Sequence, residues 1–128
     1  MIVRSHSDVI GSDFDVEWGN GRSLRLLTVE DGLGFTVCHT VVRKGTTSRL
    51  EYRSHEEACY CLSGSGRIEN GKGISRRLEP GTIYALNKGE HHFLSADSQE
   101  DLVLISVFSP PLKGTEQHKL SEFEASSY

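Results

Sequence analysis

The chain has 128 residues, of which 36% are hydrophobic and 25% are charged, and its formal net charge is −4 at pH 7. That length corresponds to one domain with a single core. The negative charge gives no electrostatic reason to expect a nucleic-acid partner, and no stretch approaches the roughly 18 apolar residues of a membrane-spanning helix. Because the N-terminal segment turns polar after three residues, it lacks the apolar region of a signal peptide, and we expect a cytoplasmic protein.

Short apolar segments separated by glycine-rich turns predict an all-β fold, either a sandwich or a barrel. A weak helical signal occurs only at residues 5–10. The strand-like segments, in chain order, are 24–29, 34–42, 49–52, 58–62, 66–69, 74–78, 82–86, 92–95 and 102–108. From about residue 113 the chain is polar, and we expect a C-terminal tail that is mobile at its end. Residues 1–128 are expected to form one domain.

The three cysteines, Cys38, Cys59 and Cys61, are odd in number and lie within apolar, strand-like segments. Such cysteines are typical of reduced thiols in a core, whereas a disulfide framework uses an even number of cysteines. Cys59 and Cys61 share one strand face, but a Cys-x-Cys pair without a second pair is a weak indication of zinc. We therefore predict three buried, reduced thiols.

Two segments, 45–66 and 80–92, contain the side chains that are expected to carry chemistry. In order and spacing they resemble the two motifs of the cupin superfamily. The matching positions are Gly45, Glu57 and Gly64 in the first segment, and Pro80, Gly81, Gly89 and His92 in the second. The resemblance implies a single-domain cupin, that is, a double-stranded β-helix or jelly-roll barrel.

The superfamily's His-x-His pair is replaced here by Glu51 and Arg53, so the usual site of three histidines and one glutamate cannot form. Glu57 and His92 remain, and a catalytic divalent ion generally needs a third protein ligand beside an open position. Tyr84 is the best candidate, because a phenolate beside a carboxylate and an imidazole suits ferrous iron or a similar ion. Ordinary packing of Tyr84 in the barrel is the alternative, and the residues alone leave both open.

Alternation along a strand separates the candidate ligands from their neighbours. If Glu57 points inward, then Glu56 points outward. Of the adjacent histidines at most one is an inward ligand, and spacing within the second motif selects His92, which leaves His91 at the surface or in an interface. In the same way, Tyr84 faces the opposite way from its two strand neighbours.

Longer motifs resemble those of the ectoine synthase family, over nearly the whole chain up to about His118. They are, in chain order, the initial MIVRS, Ser23-x-Arg25-Leu26-Leu27, Asp31-Gly32-x-Gly34-Phe35, Gly45-Thr46, His55-x-Glu57-Ala58-x-Tyr60-Cys61, Gly64-x-Gly66, Pro80-Gly81-Thr82-x-Tyr84-Ala85-Leu86-x-Lys88, Val107-Phe108-x-Pro110-Pro111-Leu112 and Gly114-x-Glu116-x-His118.

This resemblance implies a hydro-lyase of compatible-solute biosynthesis, which closes Nγ-acetyl-L-2,4-diaminobutyrate into ectoine with loss of water and acts as a head-to-tail homodimer. It implies a divalent metal cofactor, Fe²⁺, held by Glu57, Tyr84 and His92. The implied substrate contacts are Arg25, Thr40, Tyr52, His55, Glu116 and His118. Arg25 suits a bidentate grip on the substrate carboxylate, and Tyr84, Glu116 and His118 are the catalytic candidates for proton transfer.

Three features depart from the family pattern. Gly21 stands at the family's usual tryptophan position, with Trp18 three residues earlier, and Cys38 stands where a polar or amide side chain is usual. After His118, KLSEFEASSY replaces an acidic Gly-Tyr-Pro stretch. We expect the first and third departures to alter how the pocket closes, and the second to alter the polarity beside Thr40.

The departures leave two alternatives open. One is a related cyclase that acts on another ω-amide such as glutamine. The other is a cupin that binds a small molecule without catalysis, since fold alone never determines function.

Overall fold

The computed structural model describes residues 1–121 and 124–128, in which two β-sheets enclose a common core. Two short helical elements accompany the strands: the α-helix α1 at His6–Val9 and a 3-10 turn at Val29–Asp31. The strands are β1 (Asp15–Glu17), β2 (Gly21–Leu27), β3 (Thr36–Val42), β4 (Thr47–Glu51), β5 (Glu56–Ser63), β6 (Gly66–Asn70), β7 (Ser75–Leu78), β8 (Ile83–Leu86), β9 (His92–Ala96), β10 (Leu102–Ser109) and β11 (Ser126–Ser127).

The larger sheet has six strands in the order β1-β2-β3-β10-β5-β8, and the smaller has five in the order β11-β4-β9-β6-β7. All strand pairs of the described residues are antiparallel except β11 with β4, which is parallel. From β7 onward the chain alternates between the sheets, with β8 and β10 in the larger and β9 in the smaller. This alternation makes the two sheets one closed unit and confirms the all-β prediction.

The core follows from strand alternation. In β5 and β10 every second residue is buried, so each strand sends one row of side chains inward and the other outward. The largest buried cluster joins side chains of both sheets, among them Val42, Leu50, Cys59, Leu94 and Leu104. This cluster fills one part of the space between the sheets, and a polar cavity lies beside it.

All nine predicted strand segments overlap observed strands, and the predicted helix is confirmed as α1. The helix starts after Ser5, whose N–H donates to Asp8 Oδ2 over 2.8 Å. Val29, which was expected to end a strand, instead begins the 3-10 turn, because the Thr28 N–H donates to Asp31 Oδ2 over 2.9 Å and reverses the chain. None of the helices in the described residues is long and apolar enough to cross a membrane.

The sequence missed the two shortest strands, β1 and β11. The second lies in the polar segment after residue 113, where no strand was expected. The mobility expected for that segment stays a prediction, and Glu122 and Phe123 within it lie outside the described residues. The cysteine prediction is confirmed, because Cys38, Cys59 and Cys61 are all free and buried.

Two glycines of the first sequence motif provide a matched test of the packing. Gly45 and Gly64 have similar left-handed φ values of +73° and +77°, but a Cβ on Gly64 would collide with the Asp101 carbonyl oxygen, whereas one on Gly45 would meet nothing within 4 Å. Gly45→Ala should therefore lower the free energy of unfolding by only about 1 kcal/mol, the cost of the backbone conformation. Gly64→Ala should cost about 2 kcal/mol more, because overpacking is added to it. Urea unfolding of both variants measures the difference, and equal losses would contradict the close approach of Gly64 to Asp101.

Candidate metal and substrate site

Strands β5 and β8 bring the first candidate ligands to one inner face. Cys59 and Tyr84 are direct partners across this antiparallel pair, and Glu57 lies two residues from Cys59 on the same face. Glu57 and Cys59 are buried, whereas the intervening Ala58 and the preceding Glu56 face outward. The alternation predicted from the sequence is confirmed here, including the inward direction of Tyr84 and the outward direction of Ile83.

His92 reaches the interior from β9 in the opposite sheet, where it is fully buried. Its Nδ1 lies 3.0 Å from the Glu90 carbonyl oxygen. Because a carbonyl can only accept, Nδ1 carries the hydrogen in the neutral ring, and Nε2 is left with a free lone pair. Burial lowers the pKa of His92, which favours this neutral form.

Two of the three candidate ligands have a buried atom without any hydrogen-bond partner in the described residues. These atoms are Glu57 Oε1 and His92 Nε2. Burial also raises the pKa of the Glu57 carboxyl to about 8, with partial compensation from the Cys59 thiol. A buried carboxyl oxygen and an imidazole lone pair, both unsatisfied, are a donor pair that fits a divalent cation.

The third ligand has to be a group other than an acid, thiol or imidazole. No three His, Cys, Asp or Glu side chains within residues 1–121 and 124–128 lie close enough together to hold a metal ion. The Tyr84 phenol lies beside Cys59 and Glu57, and burial raises its pKa well above the ordinary value. Of the three candidate ligands predicted from the sequence, Tyr84 is therefore the one that this acid, thiol and imidazole chemistry does not include, and it lies on the same inner face as Glu57.

A cavity with a volume of about 30 Å³, room for roughly two water molecules, opens on this inner face. Six of the predicted site residues border it: Arg25, Thr40, Tyr52, Glu57, Tyr84 and His118. Three others, His55, His92 and Glu116, lie outside its lining. The fold thus brings most of the predicted residues together around a space too small for an acylated amino acid in this closed arrangement.

Arg25 is the fully buried guanidinium of the cavity wall. It projects from β2, with 2% of its surface exposed, and its Nε donates to Ser23 Oγ over 2.9 Å. Its two Nη atoms donate to the carbonyl oxygens of Gly114 and Glu116 over 3.0 and 2.9 Å. No carboxylate of the described residues forms an ion pair with it. The site therefore contains a buried positive charge whose described partners are all neutral.

Aromatic rings close the cavity on the side of the C-terminal segment. Tyr128, which follows β11, has its ring centroid 4.5 Å from that of His118 and 5.1 Å from that of Tyr52. Its hydroxyl lies 3.4 Å from Arg25 Nη2. Its position depends on the parallel pairing of β11 with β4. Tyr128 therefore occupies space beside several of the predicted substrate contacts.

His118 is held at both ring nitrogens. Nε2 lies 3.1 Å from the Tyr52 hydroxyl and Nδ1 lies 2.8 Å from Ser126 Oγ. Burial, with the charge of Arg25 and the proximity of His92, lowers the pKa of His118 to about 3. His118 is therefore a neutral ring near pH 7.

The remaining predicted residues have structural partners. The Glu116 carboxylate accepts the N–H groups of Lys113 and Gly114 over 2.9 and 2.8 Å. Burial alone would raise the pKa of Glu116, but these N–H donors hold it below the ordinary value. His55 Nδ1 lies 2.7 Å from the Pro110 carbonyl oxygen, outside the cavity.

Thr40 connects the cavity wall to the candidate ligands. Its Oγ1 lies 3.0 Å from Ser106 Oγ, which in turn accepts from Cys59 Sγ over 3.3 Å. Sequence reasoning did not select Ser106, because an isolated serine in an apolar strand carries no signal of its own. It also treated Cys59 only as core packing, although Cys59 lines the cavity.

Trp18 is a further residue of the cavity wall that was not selected as a site residue. It is buried and borders the cavity, and its Cζ2 atom would lie 3.1 Å from a Cβ on Gly21. A Cβ at Gly21 would also collide with the Val41 carbonyl oxygen, so no side chain fits at this position. The departure noted in the sequence, Gly21 with Trp18 three residues earlier, therefore still places an indole in the cavity wall.

Comparison with known proteins agrees with the motifs. The family model for ectoine synthase matches residues 1–125. The chain belongs to the ectoine synthase family. It is 46% identical over 123 residues to the L-ectoine synthase of Desulfatibacillum aliphaticivorans, and 36% identical over 118 residues to that of Vibrio campbellii, with 92% of both chains covered in each case. The prediction of an enzyme of the hydro-lyase class is confirmed at the level of this family.

Solved structures confirm the fold of this ectoine synthase family member. The crystal structure of ectoine synthase from P. lautus superposes with a TM-score of 0.84 at 36% identity, over 91% of this chain and 83% of that chain. A cupin 2 conserved barrel domain protein from Salinispora arenicola superposes with a TM-score of 0.68 at 19% identity, over 85% of this chain and 88% of that chain. The predicted cupin barrel is therefore correct.

The depressed pKa of His118 leads to a testable pH dependence. Below about pH 6.5 the unfolded chain gains a proton at this histidine that the native protein does not bind, so the free energy of unfolding should fall as the pH decreases toward 3. The contribution is at most about 1.4 kcal/mol per pH unit. Urea unfolding of the metal-free protein and of His118→Gln, between pH 7 and 4, measures it as the difference between the two slopes. Parallel slopes would show that His118 titrates normally in the native state.

Proposed function

We propose that this chain is a metal-dependent ectoine synthase, which cyclises Nγ-acetyl-L-2,4-diaminobutyrate. In the reaction the free α-amine attacks the acetamide carbonyl carbon, a C–N bond forms, and the carbonyl oxygen leaves as water with two hydrogens from the two nitrogens. Membership of the family supports the reaction. The observation that carries the metal dependence is the pair of unsatisfied buried atoms, Glu57 Oε1 and His92 Nε2, which face the interior from opposite sheets.

Glu57, Tyr84 and His92 would hold the cation, and we expect it to be Fe²⁺. Their oxygen and nitrogen donors suit a first-row divalent ion, and the bound ion supplies Lewis-acid polarisation of the acetamide oxygen. The metal-free Glu57 carboxyl, with its pKa of about 8, has to lose a proton when it becomes a ligand. Metal affinity should therefore increase with pH through this range.

Arg25 is the group that binds the substrate carboxylate. A guanidinium that is buried among neutral acceptors gains most from an anionic ligand, because charge-assisted hydrogen bonds are stronger than neutral ones. In this closed arrangement its Nη atoms donate to the carbonyl oxygens of Gly114 and Glu116. Binding of a carboxylate therefore requires Arg25 to share those donors or the C-terminal segment to shift.

The aromatic wall folds the substrate and excludes water. Tyr52, Phe108 and Tyr128 form a continuous group of rings around the cavity, with centroids 5.0 to 6.5 Å apart. An enclosure of this kind favours the bent substrate in which the amine meets the carbonyl carbon. Because the closed cavity holds only about 30 Å³, the residues that line it have to move apart before the substrate enters.

His118 is a candidate for proton transfer that is neutral near pH 7 and is oriented by the Tyr52 hydroxyl and Ser126. With a pKa of about 3 it is a weak base for the α-ammonium proton in this closed arrangement, so this role would require its surroundings to change when the substrate binds. Tyr84 and Glu116 remain the other candidates for proton transfer. Glu116 would first have to release the two backbone N–H groups that its carboxylate accepts.

Adjacent glutamates provide a matched test of the metal site. Glu57→Ala removes a proposed ligand, whereas Glu56→Ala removes the neighbouring acid on the outer face of the same strand. After anaerobic reconstitution with ferrous ion, the metal content of Glu57→Ala should be lower than that of the wild type by about tenfold or more, and the variant should form no ectoine. Glu56→Ala should retain both properties. A Glu57→Ala variant that kept its metal and its cyclisation would contradict the proposal.

The same reconstituted protein tests the substrate. The acetylated diamino acid should be turned over, and glutamine, a related ω-amide, should be turned over far more slowly or not at all. Faster turnover of glutamine would identify the alternative cyclase. The cytoplasmic location expected from the sequence stays a prediction.

We further propose that two copies associate through the outer face of the larger sheet, in the head-to-tail homodimer that the family resemblance implies. A row of side chains crosses four strands of this face in register, from His39 through Ile105 and Tyr60 to Ile83, and the last three of these are apolar or aromatic. Ile83 is 64% exposed, and Tyr60 and Leu62 are also exposed. A contiguous exposed apolar surface of this kind is typical of an association site.

Ile83→Lys places a charge within this surface and should produce a monomer at concentrations where the wild type is dimeric. Ile74→Lys is the control, because Ile74 is similarly exposed, at 49%, but lies just before β7 in the smaller sheet. Light scattering coupled to size-exclusion chromatography measures the mass of each. A dimeric Ile83→Lys variant would place the interface elsewhere.

A further inference from the structure

Trp18 contains the third unsatisfied buried atom of the described residues. Its Nε1 has no hydrogen-bond partner, although only 4% of the residue is exposed. An indole N–H can only donate, and a buried tryptophan usually finds an acceptor. The other two unsatisfied atoms, on Glu57 and His92, are of the kind that a cation satisfies, whereas Trp18 requires an electron-rich partner.

The indole lies in the wall of the same cavity. Its ring centroid is 6.0 Å from that of His118, and the residue borders the cavity together with Arg25 and Tyr52. Trp18 lies in the hairpin between β1 and β2, where its backbone N–H donates to the Gly21 carbonyl oxygen over 3.0 Å. The ring packs over Gly21, where no Cβ would fit beneath it. The hairpin therefore fixes the backbone of Trp18, and the packing of the ring against Gly21 and His118 places the indole in the cavity wall.

None of the described residues supplies the acceptor, and the cavity has room for one from water or from a ligand that replaces the water. The two carboxylates near the cavity do not accept from the Trp18 indole, because Glu116 accepts backbone N–H groups and Glu57 is a proposed metal ligand. Arg25, the cationic side chain of the cavity wall, already selects for an anionic group. A carboxylate has two oxygens and about four lone-pair sites, so it can accept from a guanidinium and an indole together.

We propose that the Trp18 indole N–H donates to a carboxylate oxygen of the substrate, beside Arg25, and makes Trp18 a specificity-determining residue for α-amino acids with an acylated side chain. The identity of the substrate in this statement rests on the proposed function. The contact forms equally in the bound substrate and during ring closure, since the carboxylate takes no part in the chemistry. Its loss should therefore raise KM and leave kcat nearly unchanged.

Two replacements of the indole test the contact. Trp18→Phe keeps an aromatic ring without the N–H. Because Trp18 is the single tryptophan of the chain, global replacement of tryptophan by β-(3-benzothienyl)alanine changes only this position and keeps the bicyclic shape. The benzothienyl protein should retain the thermal stability of the wild type without ligand, because it loses an unsatisfied donor and not a hydrogen bond. Trp18→Phe should be less stable, because the smaller ring leaves a void in the core cluster. The benzothienyl protein therefore separates the contact from a structural role.

Kinetics of the iron-loaded proteins decide the question. For Nγ-acetyl-L-2,4-diaminobutyrate, both variants should show a KM raised by about tenfold or more, as expected for a hydrogen bond to a charged group. For N-acetyl-1,3-diaminopropane, the same molecule without its carboxylate, wild type and variants should differ by less than about twofold. An unchanged KM for the acid, or an equal loss with both substrates, would overturn the proposal.

A binding measurement keeps this inference separate from the proposed function. Fluorescence of Trp18 should change saturably when the wild type is titrated with ectoine, and not with 2-methyl-1,4,5,6-tetrahydropyrimidine, which lacks the carboxylate. If ectoine perturbs Trp18 but no cyclisation occurs, the proposed function fails and the contact stands. If cyclisation occurs and calorimetry detects bound ectoine without a change in Trp18 fluorescence, the contact is refuted.

Discussion

Arg25 extends from β2 into the interior, where its guanidinium donates to the carbonyl oxygens of Gly114 and Glu116, more than 80 residues further along the chain. Burying an isolated charge is very costly unless polar groups surround it. The C-terminal segment supplies those groups, and the Glu116 carboxylate in turn fixes the backbone that presents them. Arg25 therefore joins the cavity wall to the C-terminal segment, which the packing of Leu112 and Leu120 and the pairing of β11 with β4 also hold against the barrel.

Three buried atoms of the described residues have no hydrogen-bond partner: those on Trp18 and Glu57, which border the cavity with Arg25, and that on His92, which lies outside the cavity lining. Each buried group without a partner costs about 1 to 3 kcal/mol of stability. Because most buried polar groups in folded proteins have partners, the three unsatisfied atoms support the proposal of a site in which ligands supply the missing interactions. The three atoms differ in the partner they require. The carboxyl oxygen of Glu57 and the imidazole nitrogen of His92 favour a cation, whereas the indole N–H of Trp18 favours an anion. A metal ion and a carboxylate substrate together would provide both partners.

The way this cavity closes is particular to the chain. Gly21 has no side chain, and a Cβ at this position would collide with the Val41 carbonyl oxygen. The indole of Trp18, in the hairpin between β1 and β2, packs against Gly21. Tyr128, carried by β11, stacks on His118 and Tyr52. Two departures from the family's motifs thus occur in the cavity walls, while Glu57, Tyr84 and His92, the proposed metal ligands on β5, β8 and β9, match the motifs. Such a division would allow substrate binding to vary without altering the proposed metal site.

The sequence alone determined the features that depend on strand periodicity. Because side chains alternate every two residues, the local pattern was enough to separate Glu57, Tyr84 and His92 from their strand neighbours and to locate nine strands. The inward direction of these three side chains was implied by the family resemblance. Only the tertiary structure decided which groups satisfy Arg25, which ring closes the cavity and where the indole lies. These contacts join segments distant in the chain through loops and a two-residue strand, and no local pattern encodes them, because their geometry exists only after the two sheets have packed.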